Sequence, residues 1–230
     1  MKPRRKQKIK WSPELAYIVG LISTDGNLSN DKYHINFTSK DTQLLKTFKN
    51  CLGLKNKIGY KNSGFSNKKY SWIQFGDVIL YKWLVEIGLQ PNKTKRIKES
   101  KIPRGFFFDF LRGHFDGDGS CCGYWDKRWK SSYMFYIYFN SASLSFIKWV
   151  RENLKNLLNV WGSISFTGSI WRIKYAKKES KLIFSKMYYK ENLPLLKRKY
   201  KKLKTFLETE TKNKTLRLNG RVVKLADTAV

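Results

Sequence analysis

The chain has little of what builds a metal cluster or a disulfide scaffold. Its 230 residues include three Cys and two His. Cys51 stands alone and Cys121 and Cys122 are adjacent, so no Cys-x-x-Cys spacing exists. That argues against a zinc site, and the odd count without a framework fits a reducing compartment. No apolar run approaches a membrane-spanning length, and no basic amphipathic helix stands out, so no membrane partner is expected. The basic opening, residues 1–10, lacks the apolar segment of a secretory signal. Acids are scarce too: 17 Asp and Glu face 47 Lys and Arg, a formal charge of +30. A charge that large works against a compact chain unless an anion offsets it, and nucleic acid is the obvious one.

What the chain does have is a short stretch that occurs twice. The first copy runs Ile18-Val19-Gly20-Leu21-Ile22-Ser23-Thr24-Asp25-Gly26, the second Leu111-Arg112-Gly113-His114-Phe115-Asp116-Gly117-Asp118-Gly119. The apolar lead-ins, Leu15 to Ile22 and Phe106 to Phe115, read as helices, and the closing Gly residues as their stops. Two features single the pair out. A carboxylate at a helix C-terminus faces the negative end of the macrodipole, so Asp25 and Asp118 each need a compensating cation. Small residues, Gly20 and Thr24, then Gly113 and Gly117, recur four apart on one face and let two helix backbones approach closely. Helices packed through that face would set Asp25 and Asp118 side by side, a hard-oxygen site suited to Mg²⁺.

The rest of the sequence repeats the same order. Ser12-Pro13-Glu14 is a helix start: a hydroxyl N-cap, a Pro at the first position, an acid in the first turn. Lys32 to Thr38 alternates, with Tyr33, Ile35 and Phe37 on one face and Lys32, His34, Asn36 and Thr38 on the other, a half-buried strand. A helix through Leu52 follows, then strands at Lys57 to Tyr60 and Tyr70 to Phe75 about a polar turn at 62–67, and a helix at Val78 to Ile87. The second half reads strand Ser120 to Trp125, strand Tyr133 to Asn140 with its facing left open, a helix to Leu158, a hairpin of Ser163 to Phe166 and Ile170 to Ala176, and helices at Glu179 to Tyr189 and Pro194 to Glu208. The repeat extends past the motif: Ile35-Asn36-Phe37-Thr38-Ser39-Lys40 aligns on Ile137-Tyr138-Phe139-Asn140-Ser141-Ala142. The motifs lie 93 positions apart and the strands 102, so nine residues are inserted in the hairpin around Trp125 to Ser132, a loop tip where insertions belong. The divisions are a basic arm 1–10 (a phosphate-touching arm or an unstructured leader), a first repeat 11–90, a charged linker 91–103 with Pro91 and Pro103, a second repeat 104–208 and a tail 209–230.

The duplicated stretch resembles the two motifs of single-chain LAGLIDADG homing endonucleases, over roughly residues 11–208. Ser23 departs from the acid usual at that motif position, while Asp116 keeps it. The resemblance implies an α+β fold of two pseudo-twofold-related αββαββα repeats, their curved antiparallel sheets forming a DNA-binding saddle. It implies a monomer that hydrolyses both strands of a long asymmetric duplex site with Mg²⁺, Ca²⁺ or Mn²⁺ being able to substitute, and leaves 3′ overhangs. Asp25 and Asp118 fall on the metal-binding acids, and the carbonyls of Thr24 and Gly117 on further ligands. Ser39 and Ser141 stand where the family often has Gln, Lys40 lies beside the first of them with Ala142 as its mate, and Lys93 and Lys199 are the candidate basic residues after the last helix of each half. For each Lys the alternative is a solvated charge. Base reading would fall to the strand faces: Lys32, His34, Asn36, Thr38 and Ser39; Tyr70, Trp72 and Gln74; Tyr136, Tyr138, Asn140 and Ser141; Arg172 and Lys174. An intron-encoded enzyme in an organelle (mitochondrion or chloroplast) or a microbial cytoplasm is the expectation. RNA is the partner if the chain is instead a maturase that assists intron splicing, and a non-cleaving DNA-binding protein on the same fold is the third reading. Asp116, Asp118 and Ser120 look like the start of an EF-hand, but Cys121 replaces the Gly and Lys127 the closing Glu, so that reading fails.

Overall fold

A computed structural model describes residues 9–63, 66–129 and 132–211. Residues 1–8 of the basic arm and the tail beyond 211 lie outside them, as do the tips of two expected turns at 64–65 and 130–131. The first half runs helix α1 (Pro13–Asp25), strands β1 (Gly26–Leu28) and β2 (His34–Ser39), helix α2 (Thr42–Cys51), strands β3 (Gly59–Ser63) and β4 (Ser66–Gly76), and helix α3 (Val78–Glu86). The second runs α4 (Phe107–Gly117), β5 (Ser120–Trp125), β6 (Tyr133–Ser141), α5 (Leu144–Leu158), β7 (Ser163–Phe166), β8 (Trp171–Tyr175) and α6 (Lys177–Met187). A last helix, α7, covers 197–211. Each half holds a four-stranded antiparallel sheet, in the orders β1-β2-β4-β3 and β5-β6-β8-β7.

The repeat is visible in the register. Asn27 pairs with Asn36 in one sheet and Ser120 with Tyr138 in the other, positions that the 93- and 102-residue offsets make equivalent. The inserted residues lengthen the second hairpin, where β5 has six residues and β1 three. Strand β1 does not show in the sequence pattern, since three residues are too few to display a period of two. β3 and β4 run further toward their turn than expected, reaching Ser63 and Ser66.

The centre is the pair of motif helices. In α1, Ser12 caps the first turn through Leu15 N at 3.1 Å, Pro13 opens it, and every residue from Leu15 to Ser23 is buried. A helix apolar all round belongs in a core. α4 crosses it at the small residues. A Cβ on Gly20 would lie 2.1 Å from Phe110 O, and one on Gly113 would lie 2.0 Å from Tyr17 O. These two contacts are equivalent under the 93-residue offset, so the crossing is its own near-image. A Cβ on Gly117 would meet Thr24 Oγ1. One hydrophobic cluster runs through both halves across this crossing, with α2 behind β2 and β4, and α5 behind β6 and β8. The opposite sheet faces carry the intermediate and exposed residues: His34, Asn36 and Thr38 alternate with buried Ile35 and Phe37, and Tyr136 and Tyr138 with buried Phe135, Ile137 and Phe139. That settles the open facing of β6.

Candidate nucleic-acid cleavage site

The crossing brings the ends of α1 and α4 together, and with them Asp25 and Asp118. Both carboxylates line one open cavity of about 400 Å³, together with Thr38, Ser39, Lys40, Tyr70, Gly117 and Arg198. Each keeps a solvent-exposed edge while protein surrounds most of it. Asp25 is pushed up to about 6, first by desolvation and then by the charge of Asp118. Desolvation also raises Asp118, against the pull of Lys199 and Lys93. Two acids held up in this way are a site that favours a cation.

The compensating charge that two helix C-termini demand comes from two buried lysines. Lys93 Nζ donates to Gly26 O and sits 3.4 Å from Thr24 O. Lys199 Nζ donates to Phe115 O at 2.7 Å, Gly117 O at 2.9 Å and Gly119 O at 2.7 Å. Thr24 with Gly117, and Gly26 with Gly119, are equivalent carbonyls, so both lysines cap the same place in their own halves. Burial lowers each to about 8, while the carboxylates hold them up: Asp25 and Asp118 for Lys93, and Asp116, Asp118 and Asp25 for Lys199. Lys93 is 6% and Lys199 8% exposed, so neither is a solvated surface charge.

The arrangement around them is unequal. Asp116 is 1% exposed and accepts from Tyr17 Oη at 2.8 Å and Leu196 N at 2.7 Å through Oδ2. It thereby ties α1 and α4 to the segment that carries Lys199. Burial pushes it up to about 6. Its mate Ser23 donates to Gly20 O at 2.7 Å and lies 3.2 Å from His114 Nδ1. Arg112, 0% exposed, donates to Asp109 Oδ1, Met187 O and Pro194 O at 2.7–2.9 Å, bracing the same segment from the other side. Its mate is Val19.

Other expected site residues fall in three groups. Lys40 lines the cavity with its ammonium 5.3 Å over the Tyr70 ring, and Ser39 is beside it. Ser39 and Ser141 hydroxyls accept from Asp41 N and Ser143 N at 3.1 Å, matching local turns. His34, Asn36, Thr38, Trp72, Gln74, Tyr136, Tyr138 and Lys174 share the outer sheet faces, where Arg172 lies 4.9 Å over Tyr138 and Lys174 5.2 Å over Tyr136. Two placements differ from expectation. Lys32 precedes β2, in a turn at φ 60°, so it is no strand-face residue. Asn140 is buried, donating to Asp118 O at 2.6 Å and accepting from Arg172 Nε at 3.0 Å, which makes it a floor of the site. Sequence reasoning misses Arg198, which pairs with Asp41 through Nε and Nη2 at 2.6–3.1 Å. Nothing local signals a pair 157 residues apart.

The donors that could serve a metal are all hard oxygens: two carboxylates and the carbonyls of Thr24 and Gly117. No three or more His, Cys, Asp or Glu side chains converge so as to hold a metal ion by themselves among the described residues. The set fits a divalent cation completed by substrate oxygens and water.

Residues 12–76 match the family model of the LAGLIDADG-like domain. The match spans the first half from α1 through β4. The whole chain carries the LAGLIDADG fold: it superposes on the LAGLIDADG meganuclease I-AabMI bound to uncleaved DNA at a TM-score of 0.59, with 15% identity over 89% of this chain and 92% of that one. It also superposes on full-length DUF199/WhiA from Thermatoga maritima (0.55, 14%, 95% and 70%) and on I-DmoI in complex with DNA and Mn (0.50, 16%, 79% and 98%). No curated protein sequence matches the chain. At these identities the structural likenesses establish the LAGLIDADG fold, and that fold is shared by named endonucleases and by a protein not named as one.

Proposed function

We propose that the chain is a site-specific double-strand DNA endonuclease of the homing type, intron-encoded and acting as a monomer. What supports the reading is the equivalent placement of Asp25 and Asp118 at the ends of two helices, each over a lysine-capped carbonyl cluster. Two such acids about one pseudo-twofold axis suit two antiparallel strands. Asp25, Asp118 and the carbonyls of Thr24 and Gly117 would hold Mg²⁺. A bound divalent ion supplies charge neutralisation at the scissile phosphate and a water of lowered pKa.

The chain's own groups have separable tasks. Lys93 and Lys199 hold the helix ends and offset their negative carbonyls, so both carboxylates can be charged together at neutral pH. Lys40, at the cavity edge beside Tyr70, is placed to meet a phosphate oxygen. Arg172 and Asn140 fix the floor through Asp118 O. The outer sheet faces supply sequence reading: amide, imidazole and hydroxyl groups in the first half, phenols under cations in the second. Because the faces differ, the target is asymmetric.

The deciding experiment is cleavage of a randomised duplex library with Mg²⁺. Wild type is expected to make paired cuts with short 3′ overhangs at one long site. Asp25→Asn and Asp118→Asn are expected to abolish cutting while duplex binding persists. Binding without any cut, unchanged by either substitution, favours a non-cleaving DNA-binding protein, the reading that the likeness to DUF199/WhiA supports. Preference for structured RNA over duplex DNA points to a maturase.

A further inference from the structure

Beside the site, but off the sheet faces, a second cavity of about 700 Å³ lies between the linker and the start of α5. Its lining includes Lys93, Lys95, Arg96, Lys98 and Lys101, with Glu99 the one carboxylate among the lining residues. Lys95, Arg96, Lys98 and Lys101 are exposed, and Lys93 turns inward to the helix end at Asp25. Lys93 is thus the link between this cavity and the candidate active site.

The cavity is built. Ile97 is buried and its carbonyl accepts from Ser143 Oγ, the same hydroxyl that caps α5 by accepting from Phe146 N at 3.3 Å. Lys101 N donates to Ile87 O at 2.8 Å, and Ile97 N to Lys93 O at 2.7 Å. These bonds fix the backbone on which the four exposed cations stand. The first turn of α5, a 15-residue helix, adds its own positive end through Ser143 and Ser145. In the other half the residues after Lys199 are as basic, with Lys201, Lys202 and Lys204 exposed on α7, but at the position of Ser143 stands Asp41, already paired with Arg198.

We propose that this linker cavity is a phosphate clamp that grips the nucleic-acid backbone flanking the cut. The inference rests on the endonuclease reading for the identity of its polymer. Cations spread over residues 95–101 match a strand with one charge every ~3.4 Å better than a small lone anion. The clamp adds affinity without reading sequence.

The test compares three proteins for binding to the duplex selected from the library, by anisotropy in Ca²⁺ over a fourfold salt range. They are wild type, the triple variant Lys95→Gln, Lys98→Gln, Lys101→Gln, and a control with the same charge removed from helices behind the sheets, Lys46→Gln, Lys82→Gln, Lys186→Gln. Each phosphate left without its cation is expected to lower the slope of log affinity against log salt by about 0.9, so the slope of the linker triple falls by roughly 2 to 3. Over that range wild type then weakens roughly 40-fold more than the linker triple, while the control follows wild type. Ethylation interference at the phosphates held by the linker is expected in wild type and disappears in the linker triple. Equal slopes for all three proteins, or equal reductions in both triples, overturn the clamp. So does stabilisation of wild type by pyrophosphate that vanishes in the linker triple while the duplex slope is unchanged, which would mark a site for a free anion. Asp25→Asn cleavage decides the endonuclease reading separately: a chain that binds duplex without cutting still reports on the clamp, and one that binds no nucleic acid refutes both.

Discussion

At the residue scale the site is a balance of misplaced charges. Asp116 offers the cleanest measurement, because it is fully enclosed and its Oδ1 has no partner among the described residues. Its folded value of about 6 lies above the ordinary 3.8 of an aspartate. Between those values the native state holds a proton that the unfolded chain has released, so this group's contribution falls as pH rises through the window. Asp116→Asn removes that slope, up to ~1.4 kcal/mol per pH unit. Melting curves from pH 4 to 7.5 are therefore expected to show the variant gaining on wild type as pH rises, and a constant difference would place the charge elsewhere. A second expectation concerns the capping lysines. Methionine matches lysine in length but donates nothing, so Lys199→Met leaves three carbonyls without their donor and Lys93→Met two. At roughly 1–3 kcal/mol per buried orphan group, urea unfolding should rank Lys199→Met as the more damaging. Cleavage by either variant should fall by roughly 100-fold or more.

At the element scale, the two motif helices are legible in the sequence, since Gly20, Gly113 and the terminal acids already specify a close crossing with paired ends. Replacing either glycine by alanine puts a methyl against backbone, which cannot rotate away as a side chain could. Gly20→Ala and Gly113→Ala are each expected to cost more than about 3 kcal/mol in denaturant titrations; a cost under about 1 kcal/mol would mean the helices slide apart freely. The second-half strands are legible because the nine-residue insertion falls in a hairpin. Other features are hidden for physical reasons. β1 is too short to show alternation. Asn140 has the parity of an outward residue, yet Arg172 and the Asp118 carbonyl bury it. The Asp41–Arg198 pair joins parts of the chain that no local pattern relates. Lys93 and Lys199 are found through resemblance, but their carbonyl caps follow from the folded helix ends alone.

At the scale of the whole molecule, the net charge of +30 sets the conditions under which the fold is comfortable. Without nucleic acid, self-repulsion should ease as the screening length shrinks from about 20 Å to about 6 Å between about 0.02 M and 0.3 M salt. The melting temperature is expected to rise by several degrees over that range, and a flat profile would show that the charges already sit far enough apart. Duplex affinity should move the opposite way. The two halves also close on each other through their ends: Gln43 donates to Leu195 O at 2.8 Å and accepts from Lys197 N at 3.0 Å, next to the Asp41–Arg198 pair. The second half's last segment thus rests on the first half's second helix.

The self-matching crossing of the motif helices has a further consequence during synthesis. The first half leaves the ribosome 93 residues ahead of its counterpart, a delay on the order of ten seconds at ordinary elongation rates. For that interval α1, apolar on every side, has a glycine-notched face and no α4 to receive it. Its best stand-in is the same face on a neighbouring nascent chain, because the contact is so nearly its own image. Closely spaced ribosomes on one message would favour that wrong pairing, and the remedy is the arrival of the second half, tethered by a linker short enough to outcompete any neighbour.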